Sequence, residues 1–357
     1  MLTRTLHLVR ATAAALALLA ALPGPAHADW FGSGDVERPL PSLDGATTWI
    51  NSPPLDAKAL RGKVVLVDFW TYSCINCLRT LPYVKAWAQK YGPQGLVVIG
   101  VHTPEFDFER STDNVQRAVR DLQISYPVAV DSRQVLWNAF GTRAWPSLYF
   151  VDAKGQIRSR QLGEGRYDQA ERMIQQLLRE AGQSKVPNDL VSPQALGTQA
   201  PAGRFEPVSN ETYLGWEQAQ GFTSPSGGLG TGGPRSYVPA RKLDLNQWTL
   251  SGRWSVEAQQ ITSAQAGSTI AYRFRARDLH LVLGPGRDGR PVRFKIRVDG
   301  QPPGADHGSD VAADGSGTVD AYRLYQLVRQ SSGEARERLF EIELLDEGVR
   351  ANAFTFG

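Results

Sequence analysis

The sequence predicts two domains, an α/β sandwich followed by a mostly antiparallel β-sandwich. Residues 64–70 form a continuous apolar run that leads directly into a helix-period pattern, and strand and helix patterns alternate up to about residue 183. Two-residue alternation of apolar and polar side chains dominates beyond about residue 210. A chain of 357 residues is also too long for one ordinary hydrophobic core.

The composition indicates a folded globular chain. With 41% hydrophobic and 21% charged residues, it excludes wholesale disorder and a multi-span membrane protein. Lys and Arg total 39 against 36 Asp and Glu, so the net charge of +3 gives no reason to expect a nucleic-acid partner. The only cysteines are Cys74 and Cys77, which excludes a disulfide scaffold and a four-cysteine zinc site.

Residues 1–28 have the pattern of a cleaved signal peptide. Arg4 and Arg10 precede a run of small and apolar residues at 11–22, and helix breakers follow before the expected cut between Ala28 and Asp29. A membrane anchor would need about 20 apolar residues before such breakers. We therefore expect a periplasmic or secreted protein, in a compartment where disulfides persist.

The first domain, residues 29–183, begins with short apolar pieces such as Trp49-Ile50 that predict an edge hairpin. The buried strand at 64–70 is followed by an amphipathic helix that starts at Cys74 and ends at Gly92. Further strands are predicted at 96–101, 127–130, 147–152 and 156–162. A second helix is predicted to open at 113–114, and a third to begin with a capping box formed by Asp168 and Glu171.

Residues 184–209 lose periodicity and gain Pro, Gly, Ser and Gln, which predicts a linker. Residues 210–357 then show short alternating strands with turns at Asp-Gly pairs and no long helical pattern. This pattern predicts an antiparallel β-sandwich of the jelly-roll type.

The Cys-x-x-Cys pair lies where a buried strand gives way to a helix, and this position indicates redox chemistry. Free backbone N–H groups at a helix N-terminus favour a thiolate, so we expect Cys74 to be the exposed nucleophile. Cys77, one turn further along, is the expected resolving thiol. Haem attachment would need His after the second cysteine, where this chain has Leu78, and the scattered histidines do not complete a metal site.

Three more residues stand at set distances from the cysteine pair: Asp68 lies six residues before Cys74, Pro82 lies five after Cys77, and Trp145-Pro146 precedes a predicted strand. With these residues and the Cys-x-x-Cys pair, the chain resembles the thioredoxin superfamily. The resemblance implies a thioredoxin-like fold, a buried proton-relaying acid at Asp68, and a cis-proline at Pro146 that lines the substrate groove.

An extra strand-helix unit at about 102–130 is similar to that of TlpA- and ResA-type thiol reductases. The phrases VVLVDFWTYSCINCLRTLPYV and LGEGRYD resemble the extracytoplasmic part of DipZ-type proteins, in which a carbohydrate-binding-module-like β domain follows. This resemblance implies protein thiols and disulfides as partners, a membrane electron donor of the CcdA/DsbD type, and a glycan ligand for the second domain. No cofactor is expected beyond the redox-active cysteine pair, and no metal.

Five further residues are candidates near the thiols. Trp70, Tyr72 and Trp145 are expected to line the substrate groove. His102 and Glu105 follow the second strand of the buried sheet, at the carboxyl edge where α/β sites assemble, and they are candidates for tuning the thiols.

The favoured hypothesis is an exported thiol-disulfide oxidoreductase. Ile75-Asn76, between the cysteines, lacks the histidine that stabilises a thiolate in strongly oxidising members, so we expect a reductant. One alternative is a thiol-dependent peroxidase, because Thr71 and Cys74 reproduce a Thr-x-x-Cys core of the peroxiredoxin type. The other alternative is a cell-wall glycan-binding protein with a passenger thioredoxin domain, suggested by aromatic residues of the second domain such as Trp216 and Trp248.

Overall fold

The computed structural model describes residues 38–204, 207–286 and 288–357. The predicted signal peptide, residues 1–28, and its expected cut before Asp29 lie outside these residues. In the part of the chain that is described, no helix is both long enough and apolar enough to cross a membrane.

A mixed seven-stranded sheet forms the centre of the first domain, with strand order β1-β7-β6-β3-β4-β5-β2. The bounds are β1 Arg38–Pro39, β2 Thr48–Ile50, β3 Val64–Trp70, β4 Leu96–His102, β5 Val128–Val130, β6 Ser147–Val151 and β7 Gln156–Leu162. β3 pairs in parallel with β4 and antiparallel with β6, and all its residues are buried. Because both faces of this strand are covered, its sequence is apolar throughout except at Asp68.

The described residues of this domain form four α-helices: α1 Ile75–Tyr91, α2 Thr112–Asp121, α3 Val135–Phe140 and α4 Tyr167–Glu180. α1 has Cys74 as its N-cap and Gly92 as its C-cap, as the apolar periodicity predicts. α2 begins after Ser111, whose side chain accepts a hydrogen bond from the backbone N–H of Asn114. α3 is a short helix that the sequence analysis did not predict.

Two local predictions are wrong. The short strands β1 and β2 do not form a hairpin, because β1 pairs with β7 and β2 pairs with β5 at opposite edges of the sheet. α4 has no capping box, because its N-cap is Arg166 and no side chain caps it. Glu171 is instead buried, and its carboxylate accepts hydrogen bonds from the Tyr91 hydroxyl at 2.6 Å and the Val191 N–H at 2.8 Å.

The second domain consists of antiparallel strands, which confirms the predicted fold class. Along the hydrogen-bonded path the order is β15-β14-β17-β12-β10-β11-β18-β13-β16, with β8 beside β18 and β9 beside β10. The bounds are β8 Thr212–Tyr213, β9 Arg235–Tyr237, β10 Trp248–Val256, β11 Ile261–Ser263, β12 Ser268–Arg275, β13 Asp278–Gly284, β14 Val292–Val298, β15 Ser316–Val319, β16 Arg323–Arg329, β17 Glu337–Leu344 and β18 Arg350–Phe356.

The long strand β10 joins the two halves of this sheet. Its residues from Trp248 to Ser251 pair with β12, whereas its residues from Gly252 onward pair with β9 and β11. Gly252 lies at the change of partner with φ +85, a backbone conformation that favours glycine. Large side chains such as Phe294 fill the core between the halves, as expected for strands with one buried face.

The two domains meet at the N-terminal end of α1. Ile75 and Leu78 of α1 form an apolar cluster with Val282, Leu324 and Ala353 of the second domain. Within the predicted linker, the 3-10 helix at 197–199 packs against both α1 and β16. The connection is therefore packed onto both domains over this part of its length.

Candidate functional site

The cysteine pair lies at the junction of β3 and α1. Cys74 has extended backbone angles as the N-cap of α1, and its sulfur accepts a hydrogen bond from the Cys77 N–H at 3.3 Å. Both residues are free cysteines; Cys74 is partly exposed, whereas Cys77 is buried. The arrangement leaves the first thiol accessible and the second one protected.

The ionisation of Cys74 differs from the sequence expectation. Burial raises the pKa of Cys74, the hydrogen bond from Cys77 lowers it, and the carboxyl groups of Glu105 and Glu211 raise it further when they are ionised. The net pKa is above the usual value, so the stabilisation expected at a helix N-terminus is outweighed. One of these two carboxylates, that of Glu211, belongs to the second domain.

Asp68 lies in the central strand β3, six residues before Cys74. Its side chain is 3% exposed, and its Oδ1 atom has no hydrogen-bond partner within the described residues. Burial raises the pKa of Asp68 to about 7. Burial and the Cys74 sulfur raise the pKa of Cys77 well above its usual value, and the charge of Asp68 adds to this effect. Asp68 and Cys77 are therefore electrostatically coupled.

Pro146 follows Trp145 through a cis peptide bond at the start of β6. Ser147, the first residue of β6, pairs with Phe69 of β3, so the proline lies beside the end of the strand that leads to the cysteines. The Trp145 indole N–H donates a hydrogen bond to the Thr103 carbonyl at 3.1 Å, and its ring stacks on that of Trp137 at 4.1 Å.

Trp70 and Tyr72 are almost inaccessible to solvent, which differs from the sequence expectation that they line the substrate groove. Their exposed fractions are 3% and 5%, and both belong to the hydrophobic core of the first domain. The reason is that Trp70 ends the central strand β3, where both faces are covered, and Tyr72 stacks on the His102 ring at 5.4 Å.

His102 lies at the end of β4 beneath the cysteine loop and is fully buried. One ring nitrogen, Nε2, lies 3.3 Å from the Thr71 hydroxyl, and burial lowers the pKa of His102 to about 3. The imidazole is therefore neutral at physiological pH and supplies no positive charge to the thiols.

Glu109 is a residue that the sequence analysis missed. Its carboxylate is fully buried and accepts hydrogen bonds from the Ser73 hydroxyl at 2.5 Å and from the backbone N–H groups of Glu105 and Phe106 at 2.7 and 3.0 Å. It thereby ties the cysteine loop to the loop after β4. No local sequence signal marks this role, because it depends on two segments that are distant in the chain.

Glu105 reaches the second domain. The Tyr213 hydroxyl lies 2.6 Å from Glu105 Oε1 and 3.1 Å from Glu211 Oε2. Burial raises the pKa of Glu105 to about 8, and the charges of Glu211 and Glu109 contribute to this rise. Glu105, Trp145 and Tyr213 line a cavity of about 170 Å³ that is formed by residues of both domains.

Most aromatic residues of the second domain belong to its core. Trp248 and Trp254 are fully buried and Tyr237 is 3% exposed, so they do not form a sugar-stacking platform. Trp216, by contrast, is 49% exposed. Among the described residues, no group of three or more His, Cys, Asp or Glu side chains is arranged to hold a metal ion.

Comparison with known protein families gives one match for each domain. Residues 38–160 match the AhpC/TSA family. Residues 209–357 match the family described as "Thioredoxin like C-terminal domain".

Among curated proteins, the chain is 39% identical over 265 residues to Protein DipZ of Mycobacterium tuberculosis. The aligned region is 72% of this chain and 37% of DipZ. The chain therefore spans little more than a third of that relative. It is 29% identical over 145 residues to thiol-disulfide oxidoreductase YkuV of Bacillus subtilis, covering 41% of this chain and 97% of YkuV. A solved structure titled "Solution Structure of a Thioredoxin-like Protein in the Oxidized Form" is 29% identical to this chain and has a TM-score of 0.38. The match spans 41% of this chain and 97% of the solved chain.

Proposed function

We propose that this chain, which belongs to the thioredoxin superfamily, exchanges its Cys74-Cys77 dithiol and disulfide with those of partner proteins. The observation on which this proposal chiefly rests is the pairing of a partly exposed Cys74 with a buried Cys77 that lies in the field of the buried Asp68, whose Oδ1 atom has no hydrogen-bond partner among the described residues. A thiol pair with unequal access and a buried acid suits a two-step exchange.

In the first step, the Cys74 thiolate attacks a partner disulfide, and a mixed disulfide forms as one partner sulfur leaves as a thiolate. In the second step, Cys77 loses its proton to Asp68 and attacks the Cys74 sulfur, which releases the second partner thiolate and leaves the Cys74-Cys77 disulfide. The pKa of about 7 supports Asp68 as the base, because it is partly ionised near neutral pH. In this proposal, Pro146 and Trp145 line the groove through which a partner protein reaches Cys74.

We further propose that the protein acts as a reductant. Strong oxidants of this class have a reduced form that is stabilised as the thiolate. Here burial and two nearby carboxylates raise the pKa of Cys74, so thiolate stabilisation is weak and the disulfide is correspondingly less oxidising. The proposal includes export to the periplasm or beyond, and electrons supplied by a membrane donor of the CcdA/DsbD type. A glycan ligand of the second domain also belongs to this proposal.

The reduction potential of the cysteine pair in the purified chain tests whether the protein acts as a reductant or as an oxidant. Alkylation after equilibration in dithiothreitol and glutathione buffers should give about −220 mV or lower, whereas about −120 mV would make the protein an oxidant. In parallel, Cys77→Ser should trap a mixed disulfide with a reducible protein substrate, and the matched Cys74→Ser variant should trap none. If no intramolecular disulfide forms at any poise, the oxidoreductase proposal fails.

Two further assays separate the alternatives. A peroxidase would consume hydrogen peroxide far faster than free thiols do and would lose that rate in Thr71→Val. We expect neither result, because the Thr71 hydroxyl contacts His102 and the nearby charges that act on Cys74 are negative. If the thioredoxin domain is a passenger, the function is glycan binding by the second domain, and Cys74→Ser should leave that function unchanged.

A further inference from the structure

The second domain contributes side chains to the surroundings of the nucleophile. Tyr213 lies on the short strand β8, which pairs with β18 at Ala353 and Phe354. Ala353 belongs to the apolar cluster that contacts Ile75. The Tyr213 ring also packs against Phe106 of the first domain, with ring centroids 6.0 Å apart. The Tyr213 phenol is therefore held at the domain contact by the pairing of β8 with β18 and by packing against Phe106.

The hydrogen bonds of this phenol require an additional proton. A tyrosine hydroxyl has one hydrogen, yet its oxygen lies within hydrogen-bond distance of two carboxyl groups, at 2.6 Å from Glu105 and 3.1 Å from Glu211. Both contacts are satisfied together when one carboxyl is protonated and donates to the phenol oxygen while the phenol donates to the other. The three groups then share two hydrogens and have one negative charge in total.

We infer that Glu211 and Tyr213 are positioning residues of the active site, which hold Glu105 and a shared proton near Cys74 and so set how readily its thiolate forms. This inference rests on the proposed function. While the carboxyl pair retains its proton, Cys74 faces one negative charge, and once the proton is lost it faces two. The second domain thereby adjusts the nucleophile through charge, without touching the reacting atoms.

Other charged groups near the pair have their own partners or are not among the main charges that act on the thiol. Glu109, which also acts on Glu105, is held by Ser73 and backbone N–H groups. Arg79 lines the same interdomain cleft as Glu211, but its guanidinium pairs with Glu164 at 3.1 Å. Glu217 lines the smaller cavity beside Glu105, and it is not among the main charges that act on Cys74.

The test is the pH profile of Cys74 alkylation by iodoacetamide in the reduced full chain, with the modified residue identified by peptide mass mapping. Glu211→Gln and, separately, Glu105→Gln should lower the midpoint of the profile and speed alkylation at pH 9 by roughly threefold, which corresponds to about half a pKa unit. Tyr213→Phe should give a smaller change in the same direction, because the carboxyls lose a donor that favours their ionised form. The matched control Glu217→Gln removes an exposed carboxylate from the same region and should leave the profile unchanged.

A Glu211→Gln profile that superimposes on that of the unsubstituted chain overturns the inference, and so does an equal shift in Glu217→Gln. Near-ultraviolet circular dichroism of each variant verifies that the domains remain folded. The proposed function is judged separately by disulfide exchange of the unsubstituted chain. If that chain exchanges disulfides and the profiles do not differ, only this inference fails.

Discussion

Asp68→Asn should remove the pH dependence of stability that the buried acid imposes. The Asp68 carboxyl is 3% exposed, one of its oxygens has no partner within the described residues, and burial raises its pKa from 3.8 to about 7. In the unfolded chain the group ionises near pH 4, whereas in the folded chain it keeps its proton until about pH 7. Stability is therefore lost as the pH rises between these two values.

The size of the effect follows from the two pKa values. The difference between 3.8 and about 7 corresponds to roughly 4 kcal/mol, of which roughly 3 kcal/mol is lost between pH 5 and pH 8. The asparagine amide has a similar shape and no charge, so this penalty is absent from the variant. Asp68→Asn should accordingly gain stability relative to the unsubstituted chain at pH 8 much more than at pH 5.

Urea unfolding of the reduced protein at both pH values measures this difference, because other titrating groups contribute equally to both chains and cancel. The same variant should resolve mixed disulfides more slowly at pH 7, since Cys77 loses its base. An equal stability change at pH 5 and pH 8 would refute the assignment of a buried, neutral acid at this position.

Three packing predictions can be checked by chemical denaturation. Leu78→Ala should cost about 2–5 kcal/mol and increase proteolysis between the domains, because Leu78 is 4% exposed in the interdomain cluster. Glu171→Ala should cost about 1–3 kcal/mol, because it leaves the Tyr91 hydroxyl and a backbone N–H without their acceptor. Gly252→Ala should lower the free energy of unfolding by more than about 1 kcal/mol, because φ is +85 there and a Cβ would lie 3.0 Å from the Ser268 backbone. Gly62→Ala is the steric control, because Gly62 also has a positive φ, of +76, but no atom lies within 4 Å of the added Cβ.

The sequence was sufficient where structure is local. The strand at 64–70 and the start of α1 at Cys74 follow from an apolar run and a change of period, so the position of the cysteine pair could be predicted. The resemblance to thioredoxins, rather than a local pattern, indicated that Asp68 is buried and that the peptide bond before Pro146 is cis. Local rules failed for Glu171. Its position matches a capping pattern, but its carboxylate instead accepts a hydrogen bond from the hydroxyl of Tyr91, which is distant in the sequence.

The remaining features depend on contacts between distant segments. Glu109 connects Ser73 to the loop after β4, and Tyr213 approaches Glu105 across the domain contact. No pattern within one segment encodes such a contact. The burial of Trp70 was also missed, because an aromatic residue next to a redox motif suits a groove as well as a core when only the sequence is considered.

The packing of the domains bears on whether the first one is a passenger. A passenger joined by a flexible linker would leave the first turn of α1 in water, yet Ile75 and Leu78 are each 4% exposed under Val282 and Leu324. Exposing either side chain would cost about 1.5–3 kcal/mol. These residues flank Cys77 in sequence, so separation of the domains would alter the surroundings of both thiols. Thiol chemistry and domain association are therefore energetically linked, which favours a single redox unit over two independent modules.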